Sequence, residues 1–313
     1  MLDVRRLRVL REVATCGSFS AAAESLAYTQ SAVSQQIAAL EREAGTTLVE
    51  RGARGIRLTD GGRALVAHAE DILCRLGAAE AELEAIAGLR GGRVRLSAFP
   101  TAGATIVPLA VKTFMSRHPG VELQLVEREP EEGVAMLKSG DLDIALSIGY
   151  EGAGTVHNPT DGIEEVDLFD DPTFIAMAVD HRLAHKPRAK LADFAEDQWI
   201  HSACKGTCGA VALRALHNAG FDPTIVFETD DYNVAQGLVA AGMGVTLLPE
   251  MALSNLREDI LVRPLGNQVT HRRIMACLLD NSFRSPATEA MLEILCEAAA
   301  EYAARRTPLA AAS

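Results

Sequence analysis

Aromatic residues are scarce in this chain: they make up 4% of its 313 residues, with a single Trp, and Ala, Leu and Val fill most apolar positions. No uninterrupted apolar run is long enough to span a bilayer as a helix. The opening MLDVRRLRVL has charges with no apolar segment behind them, so no secretory signal is expected. Six cysteines (Cys16, Cys74, Cys204, Cys208, Cys277, Cys296) are scattered along the chain, which argues against a disulfide framework and for a cytoplasmic location. Nucleophile elbow, Walker loop and dinucleotide fingerprint are all missing. Neither Asp141 with Asp143 nor Asp230 with Asp231 resembles an acid/base dyad. An enzyme is therefore not expected, nor a cofactor or a metal. His181 and His185 have ligand-like spacing, but HRLAHKPRAK reads as a basic surface loop.

Positive charge is also in short supply. The formal charge of −12 excludes a general polyanion binder. The average hides an asymmetry, because residues 1–58 carry eight Arg against six acids, or +2, and the rest carries −14. A mildly basic head on an acidic body suits a local nucleic-acid contact. Length and a 48% hydrophobic content suggest two or three domains with real cores.

In the head, Leu7, Leu10 and Ala14 share one face of a first helix over Val4–Thr15, ended by Gly17. SFSAAAESL offers a second short helix packing through Ala22, Ala23 and Leu26. The stretch YTQSAVSQQIAALEREAG predicts a third, capped by Thr29 and stopped at Gly45, with Val33, Ile37, Leu40 and Ala44 as its apolar stripe. Its opposite face has short hydroxyls and amides. Two short helices with a tight connection fit a helix-turn-helix. Short Ser and Gln side chains let such a helix approach base edges closely, where Gln amides pair bidentately with adenine. TLVERGARGIRLTDGG reads as a hairpin whose Arg51, Arg54 and Arg57 are placed to grip phosphates or a narrow minor groove. The candidate DNA contacts are Thr29, Gln30, Ser31, Ser34, Gln35, Arg51, Arg54 and Arg57.

From Thr59 to about residue 87, Leu65, Ala69, Ile72, Leu76, Ala79, Leu83 and Ile86 recur at spacings of four and three. That heptad seam predicts a dimerising helix, followed by a Gly-rich hinge at Gly88, Gly91 and Gly92. Beyond it, strand and helix patterns alternate (VRLSAFP, 102–118, VELQLVE, 130–139, LDIALSI, then TFIAMAV, QWIHS, 207–219, TIVFET, 231–242, GVTLLP). This rhythm predicts parallel sheets in two α/β lobes, with RRIMACLL and a helix over 286–303 returning to the first.

The segment TQSAVSQQIAALEREAGTTLVERGARGIRLTDGG closely resembles the signature of LysR-type transcriptional regulators: A-V-S, I-x-x-L-E, the helix-ending Gly, L-x-E-R and L-T-x-x-G occur in register. D-L-D-I-A, L-V-A-A-G-M-G-V-T-L-L-P and H-x-L-A extend the resemblance over nearly the whole chain. Three positions depart from the family pattern. Ser31 stands where Pro is usual, Gln35 where Arg is frequent, and Val49 where Phe fills the core, so more of the electrostatic grip passes to Arg51, Arg54 and Arg57.

The resemblance implies a multi-domain α+β chain: a winged helix-turn-helix (1–58), a linker helix (59–90) and a periplasmic-binding-protein-like effector domain (93–313). Lobe I is expected over about 93–165 and 268–303, and lobe II over about 166–267. It implies binding to double-stranded DNA, a small-molecule effector, a homodimer through the linker helix, a homotetramer, RNA polymerase contact if the protein activates, and no membrane partner. Ligands of such folds sit at strand C-termini, which selects Phe99, Pro100, Thr101, Ala102, Ile148, Gly149, Ser202, Thr207, Thr229 and Asp230. Apolar Phe99, Pro100 and Ile148 favour an organic carboxylate over an inorganic anion. Two alternatives remain: redox sensing through Cys204 and Cys208, since a LysR-type oxidant sensor uses a cysteine pair in this region, and a small-molecule binding protein that does not bind DNA.

Overall fold

The computed structural model describes residues 1–52, 55–86, 92–150, 154–155, 162–202, 207–280 and 284–305. They form two compact units, one built mainly on the first 89 residues and the other on most of the remainder.

In the head unit, α1 (Val4–Cys16) starts at Asp3, whose carboxylate accepts the Arg5 N–H, and ends at Gly17 with φ 64°. Helix α2 (Phe19–Ser25) is capped by Ser18, and α3 (Gln30–Ala44) by Thr29, whose hydroxyl accepts from the Ala32 N–H. The three helices bury Leu7, Leu10, Val13, Phe19, Ala22, Ala23, Val33, Ile37 and Leu40. Val13, not Ala14, completes the α1 stripe, and Phe19 supplies volume the alanine-rich α2 lacks. The wing is an antiparallel pair, β1 (Val49–Gly52) and β2 (Gly55–Leu58). Leu48 fills the core beside the half-buried Val49, so the missing Phe leaves this packing to its neighbour. Glu41, the acid of I-x-x-L-E, accepts the Leu48 N–H at 2.8 Å and pins the wing to α3.

Helix α4 (Asp60–Ile86) follows, its first turn capped by Thr59 through the Gly62 N–H. Only the start of its heptad seam is used within the head, where Ala69 is buried and Leu65 half-buried. Ile72, Leu76 and Leu83 are 40%, 43% and 65% exposed, an apolar stripe open to solvent within the chain.

In the second unit, lobe I contains β3 (Arg93–Ala98), α5 (Pro100–Ala104), α6 (Ile106–Arg117), β4 (Glu122–Glu127), α7 (Pro130–Lys138), β5 (Ile144–Tyr150), β6 (Gly154–Thr155) and β7 (Ile163–Asp171). Lobe II contains β8 (Thr173–Ala178), β9 (Gln198–His201), α8 (Thr207–Asn218), β10 (Thr224–Glu228), α9 (Tyr232–Ala240), β11 (Thr246–Pro249) and β12 (Ile260–Pro264). Strand β13 (Arg272–Leu279) and α10 (Pro286–Arg305) rejoin lobe I.

The lobe I sheet runs β4-β3-β5-β13-β7, with β6 beside β5. It is mixed, not wholly parallel: β4, β3 and β5 are parallel, but β13 is antiparallel to both β5 and β7. Lobe II pairs β9 and β10 in parallel, while β8 is antiparallel to β11 and β12. The chain leaves lobe I along β7 and returns along β13, and that out-and-back path requires opposite directions. Strand β7, IEEVDLFDD, belongs to the lobe I sheet, so the first crossing lies at Pro172 rather than near 165. Its acids and half-buried alternation gave it no apolar run. The expected helix over 102–118 divides at Thr105, whose φ of −121° and ψ of −81° separate α5 from α6.

Candidate nucleic-acid interface and effector cleft

The polar face of α3 is built as its spacing predicts. Val33, Ile37 and Leu40 point into the head core, which leaves Thr29, Gln30, Ser31 and Gln35 exposed and Ser34 partly so. Thr29 has a structural duty as well, holding the Ala32 N–H and lying 3.0 Å from the Ser31 hydroxyl. Arg57 is exposed on β2. Arg54 and the Arg51 side chain lie outside the described residues. Tyr28, 53% exposed just before the helix, is an aromatic that spacing did not single out.

In the effector unit a cavity of about 120 Å³ opens at the ends of β3, β5, β9 and β10. Of the expected residues, Phe99, Pro100, Thr101, Ile148, Ser202, Thr229 and Asp230 line it. Ala102, Gly149 and Thr207 are not among its lining residues: Ala102 is packed into the lobe I core, and Gly149 lies within β5, paired to β13. Cys208 lines the cavity from the first turn of α8. Cys204 and Lys205 lie outside the described residues.

What spacing missed is a row across three strands. Arg272 on β13 is directly opposite Tyr150 on β5 and Asp171 on β7. Its Nε donates to Asp171 Oδ2 at 2.9 Å, its Nη2 donates to the same oxygen and to Thr101 Oγ1 at 3.3 Å, and its guanidinium lies 5.8 Å from the Phe99 ring centre. Both partners are almost wholly buried. Asp171 Oδ1 accepts the Met251 N–H at 2.9 Å, so the pair ties the crossing strands to the segment after β11. Burial opposes the Arg272 charge, but Asp171 first and then the phenols of Tyr232 and Tyr150 more than offset it, raising its pKa. Burial likewise pushes the Tyr232 phenol up to about 12 and that of Tyr150 well above its usual range, so both remain donors. Cys208 is within hydrogen-bonding reach of the Tyr150 hydroxyl. The chain RRIMACLL announced a strand, but no local pattern told that its first residue turns inward to meet an acid 101 residues earlier.

The cleft mouth is acidic. Burial and then Asp230 raise the Glu129 carboxyl pKa, while burial lowers that of His201 against the pull of Glu228 and Asp230. Ser202 donates to Asp230 at 2.6 Å, and Thr229 Oγ1 accepts the Asp231 N–H, a local turn. Elsewhere, His181 meets Asp197 at 3.2 Å and stacks on Phe194, a carboxylate partner the sequence spacing did not reveal. Among the described residues no group of three or more His, Cys, Asp or Glu is arranged to hold a metal, and no helix is long and apolar enough to cross a membrane.

Comparisons with known proteins agree with this architecture. Residues 4–63 match the family model for the bacterial regulatory helix-turn-helix protein of the lysR family, and residues 87–300 match the LysR substrate binding domain. The transcriptional dual regulator GltC of Bacillus subtilis is 32% identical over 84% of this chain and 85% of its own. The hydrogen peroxide-inducible genes activator of Pectobacterium carotovorum is 28% identical over 82% of this chain and 83% of its own. Full-length OxyR of Pseudomonas aeruginosa, 22% identical, superposes with a TM-score of 0.65 over 96% of this chain and 95% of that one. CbnR, a LysR family transcriptional regulator, is 23% identical and gives 0.61 over 95% and 99%. At those identities the two structures show a shared fold. The matched helix-turn-helix sets aside the reading as a binding protein without DNA, and the relatives are regulators, not enzymes. With both of its parts matched in order, the chain belongs to the LysR family and is a DNA-binding transcriptional regulator with an effector-binding domain.

Proposed function

We propose that this regulator responds to a small organic carboxylate bound in the cleft lined by Phe99, Thr101, Ile148, Tyr150, Tyr232 and Arg272, and that α3 and the wing read its operator. One observation carries the effector reading: an apolar cavity of about 120 Å³ with a buried guanidinium and two protonated phenols directed at one end. Those donors suit a planar acceptor with two oxygens. Thr101 joins the ligand end to Arg272, which is tied through Asp171 to the lobe crossing, so occupancy there biases the lobes' arrangement. The assembly is a homodimer through the exposed Ile72, Leu76 and Leu83 of α4, further paired as a tetramer, working in the cytoplasm and meeting RNA polymerase if it activates.

A mobility-shift titration on the DNA upstream of the chain's own or neighbouring gene tests the whole. Specific retardation that small aromatic or aliphatic carboxylates alter supports it. No retardation at low salt refutes operator reading, and indifference to every carboxylate refutes the effector class. A second reading has one observation in its favour, the placing of the Cys208 thiol beside Tyr150 in the cleft. If thiol oxidation is the signal, mild peroxide changes DNA affinity and Cys208→Ser abolishes the change.

A further inference from the structure

The carboxylate reading leaves two features of the cleft unexplained. Arg272 is 4% exposed and lines the cavity, yet its hydrogen bonds run through Nε and Nη2 alone, so among the described residues Nη1 has no acceptor. Buried donors are almost always satisfied, and this one faces the space a ligand would fill. The second feature is charge. Asp171 already cancels the guanidinium, so a bare anion gains hydrogen bonds there but little net attraction. The other charged groups among the described lining are acids, Glu129, Glu131 and Asp230, and they repel an anion. The two ends lie close together, for the Tyr232 phenol senses Arg272, Asp171 and Glu129 alike.

We propose, resting on the carboxylate reading, that the effector is a zwitterion of amino-acid size. Its carboxylate takes Arg272 Nη1 and the hydroxyls of Tyr150 and Tyr232, and its ammonium takes Glu129 at the mouth. The cavity of about 120 Å³ limits the size, since roughly 150 Å³ is enough to hold a benzene ring. Such a ligand satisfies the buried guanidinium and the acidic mouth at once, and brings no net charge into a cleft whose buried ion pair is already balanced.

The test is calorimetric titration of the full-length protein with every standard l-amino acid of ten or fewer heavy atoms. Each is run beside its analogue lacking the amine and its analogue lacking the carboxylate, as in l-leucine, 4-methylpentanoate and 3-methylbutylamine. The expected result is at least one amino acid bound tenfold or more tighter than both analogues. Glu129→Gln, on an exposed turn, removes most of that preference while the affinity for the amine-free acid changes less than threefold. If amine-free acids bind as tightly as amino acids, the zwitterion is wrong and the carboxylate reading stands. Equally tight binding of the amines, or the absence of binding by any of the three sets, overturns both.

Discussion

Asp171 holds Arg272 through one carboxylate oxygen and the Met251 N–H, 2.9 Å away, through the other. The partners are opposite one another on β7 and β13, the strands by which the chain leaves and re-enters lobe I. This pair therefore serves both stability and function. Asp171→Ala leaves a buried guanidinium uncompensated, for which roughly 3–5 kcal/mol is the expected loss. Denaturant unfolding of the full chain measures it. Replacing both residues by apolar ones of similar volume should recover most of that stability, but not ligand binding.

Ala27 joins α2 to α3 with φ 53°, in the left-handed region that a Cβ disfavours. The Tyr28 N–H closes the turn onto Ala23 O at 2.8 Å. Ala27→Gly should stabilise the head by about 1 kcal/mol, seen as a higher midpoint for head unfolding. Ala27→Val should destabilise it.

Gly62 in the L-T-x-x-G motif is needed for contact, not for dihedral freedom. A Cβ there would lie 2.1 Å from the Leu48 carbonyl oxygen, a backbone atom with little room to yield. Gly62→Ala should cost more than about 2 kcal/mol and loosen the wing, and hydrogen exchange at Leu48 and Thr59 would report it.

On α3 and the wing, the reader and the clamp should separate. Gln35→Ala is expected to cost about 1–3 kcal/mol on the preferred operator while leaving non-specific binding nearly unchanged. Arg57→Ala should weaken all sequences alike and lower the salt slope by about 1. Arg54→Ala is expected to behave like Arg57→Ala. Mobility shifts at several salt concentrations distinguish the two patterns, and the reverse assignment would show that reader and clamp are misplaced.

The cleft phenols give a pH signature. Because the folded chain holds the Tyr232 proton up to about 12, and that of Tyr150 higher still, it binds more protons than the unfolded chain above pH 10. The stability associated with these protons is complete below pH 10 and is lost as pH rises towards 12. Ultraviolet titration of phenolate should show Tyr150 and Tyr232 ionising only together with unfolding.

Local rules made the head legible. Asp3, Ser18 and Thr29 before periodic apolar runs, and Gly17 and Gly45 after them, mark helix limits within a residue or so, because capping and periodicity act within one turn. The same locality placed most strands of the effector domain and the cleft rim from Phe99 to Thr101. Strand β7 escaped because its acids interrupt the apolar pattern by which a buried strand is recognised.

By itself the sequence determined the order of parts, the capped helices, the apolar seam of α4 and the family, all written in neighbouring residues. Only the tertiary structure decided that the sheets are mixed, that Leu65 and Ala69 belong to the head while Ile72, Leu76 and Leu83 stay open, and that Arg272 meets Asp171, Thr101 and Tyr150. The reason is separation along the chain. Thr101 and Arg272 are 171 positions apart, so their contact depends on the lobes' out-and-back path, and no short pattern encodes it.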